Sequence, residues 1–274
     1  MPIIKVDDIQ IYYEIHGNGE PLLLIMGYGS NSGHWLAILD KLAKEHRVII
    51  FDNRGTGRSD KPDIPYTAKM MTGDIIGLLD AIGIGATNVL GVSMGGMIAQ
   101  EFALSYPERI KSLILGCTSC GGPNAIPPSP EAMAFLFDPE QAKLSNEEKA
   151  LATIPWLWNK DFIDKHPEAV KRYVAVTTEH PTPPHSYTCQ ANFIMAFSSY
   201  DRLPGLKAPT LVICGTKDRL IQPENSKILA SRIANAKLTI IENAGHGFMS
   251  DSAEESSKII LRFLSEHSDK PAHN

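Results

Sequence analysis

The sequence has little of what marks several specialised classes of protein. It has no basic excess: 26 Lys and Arg stand against 31 Asp and Glu among 274 residues, for a formal net charge of −5. Because nucleic acids and anionic membranes attract basic surfaces, we expect neither as a partner. No apolar run approaches the roughly 18 residues of a membrane-spanning helix. The N-terminus also lacks the basic start and long apolar run of a secretory signal, so we expect a cytoplasmic protein.

Cysteine is scarce as well. The chain contains Cys117, Cys120, Cys189 and Cys214. The first two have the C-x-x-C spacing of redox and zinc sites, but no second such pair follows and no histidine pair has ligand spacing. Cys117 and Cys214 each end an apolar run, which favours buried free thiols that pack as small apolar side chains. We therefore expect no metal site.

Short apolar runs alternate with helix-like segments along most of the chain. The runs occupy residues 21–26, 47–52, 87–92, 111–116, 209–215 and 237–242. Apolar residues recur at helical spacing in segments 69–82, 94–105 and 252–266. Near-continuous apolar strands that alternate with amphipathic helices predict an α/β fold, with a mostly parallel sheet flanked by helices. Alternation through residues 3–15 predicts a hairpin before the first run.

Residues 118–205 interrupt this alternation. The segment is rich in proline and carries helix-like pieces such as KDFIDKHPEAVKRYVAV, with no convincing buried strand. We predict a helical cap that is inserted between two core strands and lies over one end of the sheet. The α/β core then comprises residues 1–117 and 206–274.

One apolar run ends in a serine flanked by glycines, Gly91-Val92-Ser93-Met94-Gly95. This G-x-S-x-G pattern is typical of a nucleophile elbow, a sharp strand-to-helix turn that exposes a serine hydroxyl. The small residues two positions before and after Ser93 allow the strand and the helix to approach closely. The helix that follows directs N–H groups and its positive end toward developing negative charge. The alternative is a tight structural turn.

A serine hydroxyl needs a base to accept its proton, and the base needs an orienting acid. The best candidate base is His246, which lies between glycines just after the last apolar run. The best candidate acid is Asp218, which follows the preceding run. Loops that follow parallel strands emerge at the same edge of the sheet, so Ser93, Asp218 and His246 are predicted to converge. The alternatives are His34 as the base and Asp251 as the acid.

Two N–H groups near the serine are needed to hold an oxyanion. The N–H of Met94 directly follows Ser93 and is the first candidate. By position we choose the N–H of Tyr28, in the loop after the first apolar run, as the second. Glycines on both sides of Tyr28 keep that loop clear for a substrate. The alternative is a plain glycine turn.

The charged segment DNRGTGRSD follows the second apolar run and resembles a phosphate-binding loop. No G-K-[ST] sequence follows, so a nucleotide site is not expected. We predict a charged turn in which Asp52 and Arg54 brace neighbouring loops.

Together these residues resemble the α/β-hydrolase superfamily. The similarity runs through nearly the whole chain, in LLLIMGYG, FDNRGTGRSD, GVSMGG, GTKD and NAGHG. It is strongest toward small esterases and lactonases, which include 3-oxoadipate enol-lactonases, aclacinomycin methylesterase-like enzymes and carboxylesterases. The resemblance implies an eight-stranded sheet with a helical cap, no cofactor, and Ser93, Asp218 and His246 as nucleophile, acid and base. One departure is Met26, where many relatives have histidine; the backbone donor at Tyr28 survives this change.

The serine also narrows the chemistry, because dehalogenases and epoxide hydrolases of this superfamily use aspartate at the elbow. We predict a carboxylesterase-type serine hydrolase acting on small to medium, fairly apolar esters. The alternatives are a C–C bond hydrolase, a lactonase, a thioesterase or a ligand-binding protein with little turnover. The candidate pocket residues are aromatic: Trp35, Phe135, Trp156, Trp158 and Phe193. We expect a small-molecule ester as the partner, and a monomer or a homodimer.

Overall fold

An apolar sheet forms the centre of the molecule. The computed structural model describes residues 2–136, 138, 140 and 143–268. The strands are β1 (Ile3–Val6), β2 (Ile9–His16), β3 (Glu20–Ile25), β4 (His46–Phe51), β5 (Thr87–Val92), β6 (Ile110–Gly116), β7 (Thr210–Gly215) and β8 (Ala236–Ile241). They form one sheet in the order β1-β2-β4-β3-β5-β6-β7-β8. β2 pairs antiparallel with β1 and with β4, and the other neighbouring strands are parallel.

The central strands are apolar because helices cover both of their faces. Every residue of β5 and of β7 is buried. The edge strand β8 differs, since five of its six residues are partly or fully exposed. The predicted α/β fold, with a mostly parallel eight-stranded sheet and a leading hairpin, is confirmed.

Helices follow most of the strands. They are α1 (Leu36–Leu42), α2 (Ala68–Ala81), α3 (Met94–Ser105), α4 (Pro130–Leu136), α5 (Asn146–Leu157), α6 (Lys160–Lys165), α7 (Pro167–Glu179), α8 (Pro184–Ala196), α9 (Pro223–Arg232), α10 (Phe248–Asp251) and α11 (Ala253–Glu266). α2, α3 and α9 pack on one face of the sheet, and α1 and α11 pack on the other. Across the described residues, no helix combines the length and the apolar character needed to cross a membrane.

α2 shows how the local sequence determines a helix and the face that it buries. The Thr67 side chain accepts the N–H of Met70 at 3.2 Å and caps the first turn, an interaction worth about 1 kcal/mol. Met71, Ile75 and Leu78 recur at helical spacing and are all buried against the sheet. The apolar stripe therefore fixes which side of α2 meets the core.

The chain between β6 and β7 carries α4 to α8, which we call the inserted helices. In the part of this segment that the structure describes there is no β-strand. The Gly247 N–H donates to the carbonyl of Leu157 at 2.8 Å, and the Gly29 N–H donates to Gln190 Oε1 at 2.8 Å. The inserted helices thus lie over loops that follow β8 and β3. The helical character of the segment agrees with the prediction, whereas its division from the core at residues 118 and 205 stays a prediction.

Candidate active site

Ser93 occupies the turn between β5 and α3. Its backbone angles are φ +56° and ψ −124°, which are strained for a residue that carries a Cβ. A Cβ on Gly91 would lie 2.3 Å from the carbonyl oxygen of Gly95, and one on Gly95 would lie 2.1 Å from that of Ile25. Larger side chains at either glycine would therefore push β5, α3 and β3 apart. The structure has the sharp turn that the G-x-S-x-G pattern predicts.

The first turn of α3 presents backbone N–H groups beside Ser93. Gly96 and Met97 donate theirs to the Ser93 carbonyl, at 2.9 and 3.3 Å. Among the described residues the N–H of Met94 has no acceptor. The positive end of the α3 dipole adds to the attraction for negative charge at this point. The Met94 N–H is therefore available to an anionic oxygen.

His246 and Asp218 form a buried pair at the same edge of the sheet. Nδ1 of His246 lies 3.0 Å from Asp218 Oδ1 and 2.9 Å from Oδ2. Oδ1 also accepts the N–H groups of Leu220 and Ile221, both at 2.9 Å. An ionised carboxylate can only accept hydrogen bonds, so Nδ1 of His246 carries the proton. In the neutral ring, Nε2 then keeps its lone pair free to accept another proton.

Electrostatics separate His246 from the alternative base, His34. Burial opposes charge on His246, yet the Asp218 carboxylate beside it raises the pKa of His246 well above its ordinary value. Burial lowers the pKa of His34 to about 4. The His34 ring meets the Tyr173 ring at 4.8 Å and the Thr177 hydroxyl at 3.5 Å, and neither neighbour is a carboxylate. Of the two imidazoles, His246 is the one whose protonated form is stabilised by a neighbouring carboxylate.

Asp251, the alternative acid, is bonded to the backbone of the His246 loop instead of to the imidazole. Its Oδ2 accepts the N–H of Gly245 at 2.8 Å. Burial raises the pKa of Asp251 to about 6. Within the described residues no hydrogen bond joins Asp251 to the His246 ring. The structure brings Asp218, not Asp251, to the imidazole.

The Ser93 hydroxyl has no hydrogen-bond partner among the described residues, so it is not bonded to His246 here. Bonds between a nucleophile and its base are often long until a substrate is in place. The neighbouring loop does reach Ser93: a Cβ on Gly27 would lie 3.0 Å from Ser93 Cβ and 3.5 Å from its Oγ. The next residue is Tyr28, whose N–H also has no acceptor within the described part of the chain. The residues that follow Gly27 and Ser93, Tyr28 and Met94, thus each have an N–H group without an acceptor among the described residues.

Cys117 lies beside the histidine–aspartate pair, which the sequence analysis did not anticipate. Its Sγ, a ring nitrogen of His246 and a carboxylate oxygen of Asp218 all lie within 4.8 Å of one another. Burial raises the pKa of Cys117, which keeps the thiol protonated and makes it a poor metal ligand. The signal was available, because Cys117 directly follows a buried strand at the edge where ligands bind. All four cysteines are buried free thiols, as predicted.

The DNRGTGRSD segment braces the loop after β3. Asn53 Nδ2 donates to the Met26 carbonyl at 2.9 Å, and Asp52 Oδ1 accepts the Ser32 N–H at 2.7 Å. Arg54 forms a buried ion pair with a carboxylate of α2 through two 2.6 Å hydrogen bonds. Asp52 therefore braces a neighbouring loop as we expected, whereas Arg54 is bonded to a helix.

Two of the five predicted pocket residues belong to the buried apolar clusters of the core. Trp35 has 0 % of its surface exposed, because it extends the apolar stripe formed by Ile38 and Leu42 of α1. Phe193 is 3 % exposed and packs in the cluster on the opposite face of the sheet. Neither side chain exposes more than a trace of surface here, and the assignment of both to a pocket stays a prediction.

The other three predicted pocket residues lie near the histidine–aspartate pair. A Cβ on Gly247, which follows His246, would lie 2.6 Å from Nε1 of Trp158. Phe135 and Trp156 stack with ring centroids 5.0 Å apart. The guanidinium of the residue after Asp218 lies over the Trp156 ring at 4.3 Å. These contacts place three aromatic side chains against the loops that follow β7 and β8.

Aromatic residues that the sequence analysis missed link these loops to Ser93. Tyr187 meets Tyr28 edge-on with ring centroids 5.3 Å apart, and Tyr173 lies 5.5 Å from Trp158. With His34 they form what we call the aromatic belt: Tyr28, His34, Trp158, Tyr173 and Tyr187. Burial raises the pKa of Tyr28 to about 12 and also raises that of Tyr173, so these phenols are neutral. The belt is an apolar wall with a few hydroxyl and imidazole groups.

Comparison with known proteins points to one family. A family model described as the alpha/beta hydrolase fold matches residues 20–186 and 178–253. That match includes Ser93, Asp218 and His246. It therefore covers strands β3 to β8, the inserted helices and the loops that carry the candidate site.

Individual relatives agree in length and shape. A poly(3-hydroxyalkanoate) depolymerase of Ectopseudomonas oleovorans is 32% identical over 244 residues, which are 89% of this chain and 84% of that protein. An enol-lactonase from Burkholderia xenovorans LB400 has a TM-score of 0.84 at 28% identity, covering 96% of this chain and 100% of that chain. A thermophilic esterase from Thermogutta terrifontis has a TM-score of 0.83 at 30% identity, covering 95% of each chain.

Proposed function

Because the chain belongs to the α/β-hydrolase family, we propose that it is a serine hydrolase that cleaves carboxylic esters. In this proposal Ser93 is the nucleophile, His246 is the general base, and Asp218 orients and charges the base. The N–H groups of Tyr28 and Met94 hold the oxyanion.

The observation that carries the proposal is the buried bond between His246 and Asp218. Both carboxylate oxygens lie within 3.0 Å of Nδ1, which leaves Nε2 as the proton acceptor. Ser93 supplies a hydroxyl on a strained turn, and the N–H groups of Tyr28 and Met94 have no acceptor among the described residues. A nucleophile, a base in the correct tautomer and two oxyanion donors are the parts that acyl transfer requires.

Acylation begins when Nε2 of His246 accepts the proton of Ser93 as Oγ bonds to the ester carbonyl carbon. The carbonyl oxygen becomes an oxyanion that accepts the Tyr28 and Met94 N–H groups. The Asp218 carboxylate stabilises the imidazolium, which is the interaction that raises the pKa of His246. The tetrahedral intermediate then breaks its bond to the alcohol oxygen, and His246 gives the proton to that oxygen.

Deacylation repeats these steps with water in place of the serine hydroxyl. His246 takes a proton from water as the water oxygen attacks the acyl carbon. The oxyanion of the second tetrahedral intermediate accepts hydrogen bonds from the same two N–H groups. The bond to Ser93 Oγ breaks, and His246 returns its proton to that oxygen. The products are a carboxylic acid and the free enzyme, so the protons balance over the cycle.

We propose that the substrates are small to medium, fairly apolar esters. The aromatic belt supports this size and polarity, since it offers mostly apolar surface with a few neutral polar groups. Among the similar structures are an esterase and an enol-lactonase. A lactone is a cyclic ester, so both names are consistent with attack on an ester carbonyl.

The test is steady-state hydrolysis of p-nitrophenyl esters from acetate to decanoate. Wild type is compared with Ser93→Ala and with the matched control Ser105→Ala, which alters the far end of the same helix. We expect multiple turnover by wild type and by the control, and a loss of at least ~10³-fold in kcat/KM for Ser93→Ala. The acyl chain length that gives the highest kcat/KM indicates the size of the acyl pocket.

Folded wild-type protein that turns over none of these esters would contradict the proposal. Diketones, acyl-thioesters and stoichiometric ligand binding are then the assays that separate the remaining hydrolase chemistries from a binding protein. Turnover that persists undiminished in Ser93→Ala would contradict the assignment of the nucleophile alone.

A further inference from the structure

A glutamine of the inserted helices holds the loop that follows β3. Gln190, on α8, accepts the N–H of Gly29 at 2.8 Å through Oε1. Its Nε2 donates to the carbonyl of Arg54 at 3.1 Å. Gln190 has 0 % of its surface exposed. Because a backbone N–H only donates and a carbonyl only accepts, the two partners determine which end of the amide faces which loop.

Gly29 is held at its carbonyl group as well. The Thr182 hydroxyl, in the segment before α8, donates to the Gly29 carbonyl at 3.0 Å. Gly29 has φ +65°, and a Cβ there would lie 2.2 Å from the ring of Tyr187. Only glycine fits this conformation and this contact. Both backbone polar groups of Gly29 are thus satisfied by the inserted helices.

The two ends of the same loop are held differently. The Met26 carbonyl accepts from Asn53, and the Ser32 N–H donates to Asp52, and both partners belong to the segment after β4. The core therefore holds the start and the end of the loop, whereas the inserted helices hold its middle at Gly29 and also reach Asn31, whose Nδ2 donates to the Val176 carbonyl of α7 at 3.1 Å. Displacing these helices releases Gly29, and the bonds of Met26 and Ser32 to the core remain.

The middle of the loop is where the second oxyanion donor lies. The Gly29 N–H belongs to the peptide unit after the Tyr28 Cα, and the Tyr28 N–H belongs to the unit before it. Fixing the peptide unit that carries the Gly29 N–H limits the orientations of the unit that carries the Tyr28 N–H, because only the two backbone dihedral angles of Tyr28 separate them. A bond to Gly29 therefore constrains the direction of the Tyr28 N–H.

We propose that Gln190 is a positioning residue that directs the Tyr28 N–H at the oxyanion. The oxyanion hole is then complete only when the inserted helices are seated on the core. This inference rests on the proposed function, because it assigns Gln190 a part in the same reaction.

A positioning role has a kinetic signature. The oxyanion exists in the transition states and intermediates but not in the bound substrate, so a misdirected N–H lowers kcat and leaves KM nearly unchanged. Loss of substrate packing raises KM instead. Removing an oxyanion donor outright typically lowers kcat by ~10²–10³-fold, and we expect loss of its positioning to lower kcat by about 10- to 100-fold.

Two variants and a control test the proposal. Gln190→Met keeps the length of the side chain and removes both hydrogen bonds, and Thr182→Val removes the bond to the Gly29 carbonyl. The control is Thr178→Val, because the Thr178 hydroxyl bonds only to carbonyls of its own helix. Each protein is measured for kcat and KM on a p-nitrophenyl ester, and for hydrogen exchange of the Gly29 amide by NMR.

In Gln190→Met, we expect the Gly29 amide hydrogen to exchange with solvent at least ~10-fold faster than in wild type. We also expect kcat to fall while KM stays within about 3-fold of the wild-type value. Thr182→Val should shift both quantities in the same direction by less, and the control should shift neither. Unchanged Gly29 exchange in Gln190→Met, or faster exchange with an unchanged kcat, overturns the proposal. If Gln190→Met does not fold, Thr182→Val decides by the same criteria.

The two readouts also separate this inference from the proposed function. If wild type turns over no ester, the proposed function fails and the catalytic part of this inference fails with it. The exchange measurement needs no turnover and still shows whether Gln190 holds Gly29. If wild type is active and Gln190→Met matches it in both readouts, only the positioning role fails.

Discussion

Two histidines at the same edge of the sheet, the buried His246 and the partly buried His34, have opposite electrostatics. His246 follows β8, and the Asp218 carboxylate raises its pKa well above the ordinary value. His34 follows β3 and lies under α7, where burial lowers its pKa to about 4. Its neighbours are Tyr173 and Thr177, which carry no charge to offset the cost of desolvation. Burial alone keeps an imidazole neutral, whereas burial beside a fixed carboxylate makes one that can hold a proton during a reaction.

Asp218→Asn should abolish the difference between the two histidines, and its expected effect, on activity, is the largest. The amide oxygen can still accept the N–H groups of Leu220 and Ile221, but Nδ2 then faces His246 and donates to Nδ1. The ring proton moves to Nε2, which can no longer accept the proton of Ser93. We expect kcat/KM for a p-nitrophenyl ester to fall by ~10³–10⁴-fold, with an unchanged far-ultraviolet circular dichroism spectrum.

The pH dependence of the residual activity tests the sign of the pKa shift. The base must be neutral to act, and removal of the carboxylate lowers the pKa of His246. The acid limb of the kcat/KM profile should therefore move to lower pH in Asp218→Asn. Asp251→Asn is the matched control and should keep the wild-type limb, since Asp251 bonds to the Gly245 N–H and not to the imidazole. A limb that stays in place in Asp218→Asn would contradict the assignment of Asp218.

Asp251→Asn has the next largest effect, and that effect is on stability. Burial raises the pKa of Asp251 from 3.8 to about 6, so the folded state binds this proton more tightly than the unfolded chain does. The resulting stabilisation is complete below about pH 4 and is lost as the pH rises through about 6. A pKa difference of about two corresponds to about 3 kcal/mol.

Urea unfolding of wild type and Asp251→Asn between pH 4 and pH 7.5 measures this contribution. The free energy of unfolding of the variant minus that of wild type should rise by about 2 kcal/mol over this range, because asparagine does not titrate and part of the titration of the unfolded Asp251 lies below pH 4. Subtracting wild type removes the contribution of the other titrating groups. A difference that stays constant with pH would mean that Asp251 ionises in the folded chain as easily as in the unfolded one.

The order of the strands explains which parts of the site could be predicted from the sequence. Ser93, Asp218 and His246 each follow a strand of the parallel part of the sheet, and parallel strands deliver the loops after them to one edge. The prediction that the three lie together therefore follows from chain order once the apolar runs are recognised as strands. The glycines beside Ser93 have a similarly local cause, since backbone atoms of adjacent elements leave no room for a Cβ.

The inserted helices could not be placed by such reasoning. Gln190 and Gly29 are 161 positions apart. The sequence of α8 does not indicate which loop contacts the buried face of the helix. The position of Trp35 shows a related limit: a run of apolar residues predicts a buried face, but not whether an aromatic ring on it contacts the core or a ligand. Contacts of this kind depend on tertiary packing, which periodicity does not encode.

Thr177→Asp gives His34 the carboxylate that it lacks, and has the smallest expected effect. Thr177 Oγ1 lies 3.5 Å from His34 Nε2, so an aspartate there would bring a carboxylate oxygen within ion-pair distance. We expect the pKa of His34 to rise by about one or more, measured by NMR titration of the ring protons. Thr178→Asp, at the next position of α7, is the matched control and should raise it less. An unchanged pKa in Thr177→Asp would mean that burial outweighs a nearby carboxylate at this position. The contrast between the two histidines would then depend on how the Leu220 and Ile221 N–H groups fix the Asp218 carboxylate beside His246, and not on the presence of a carboxylate alone.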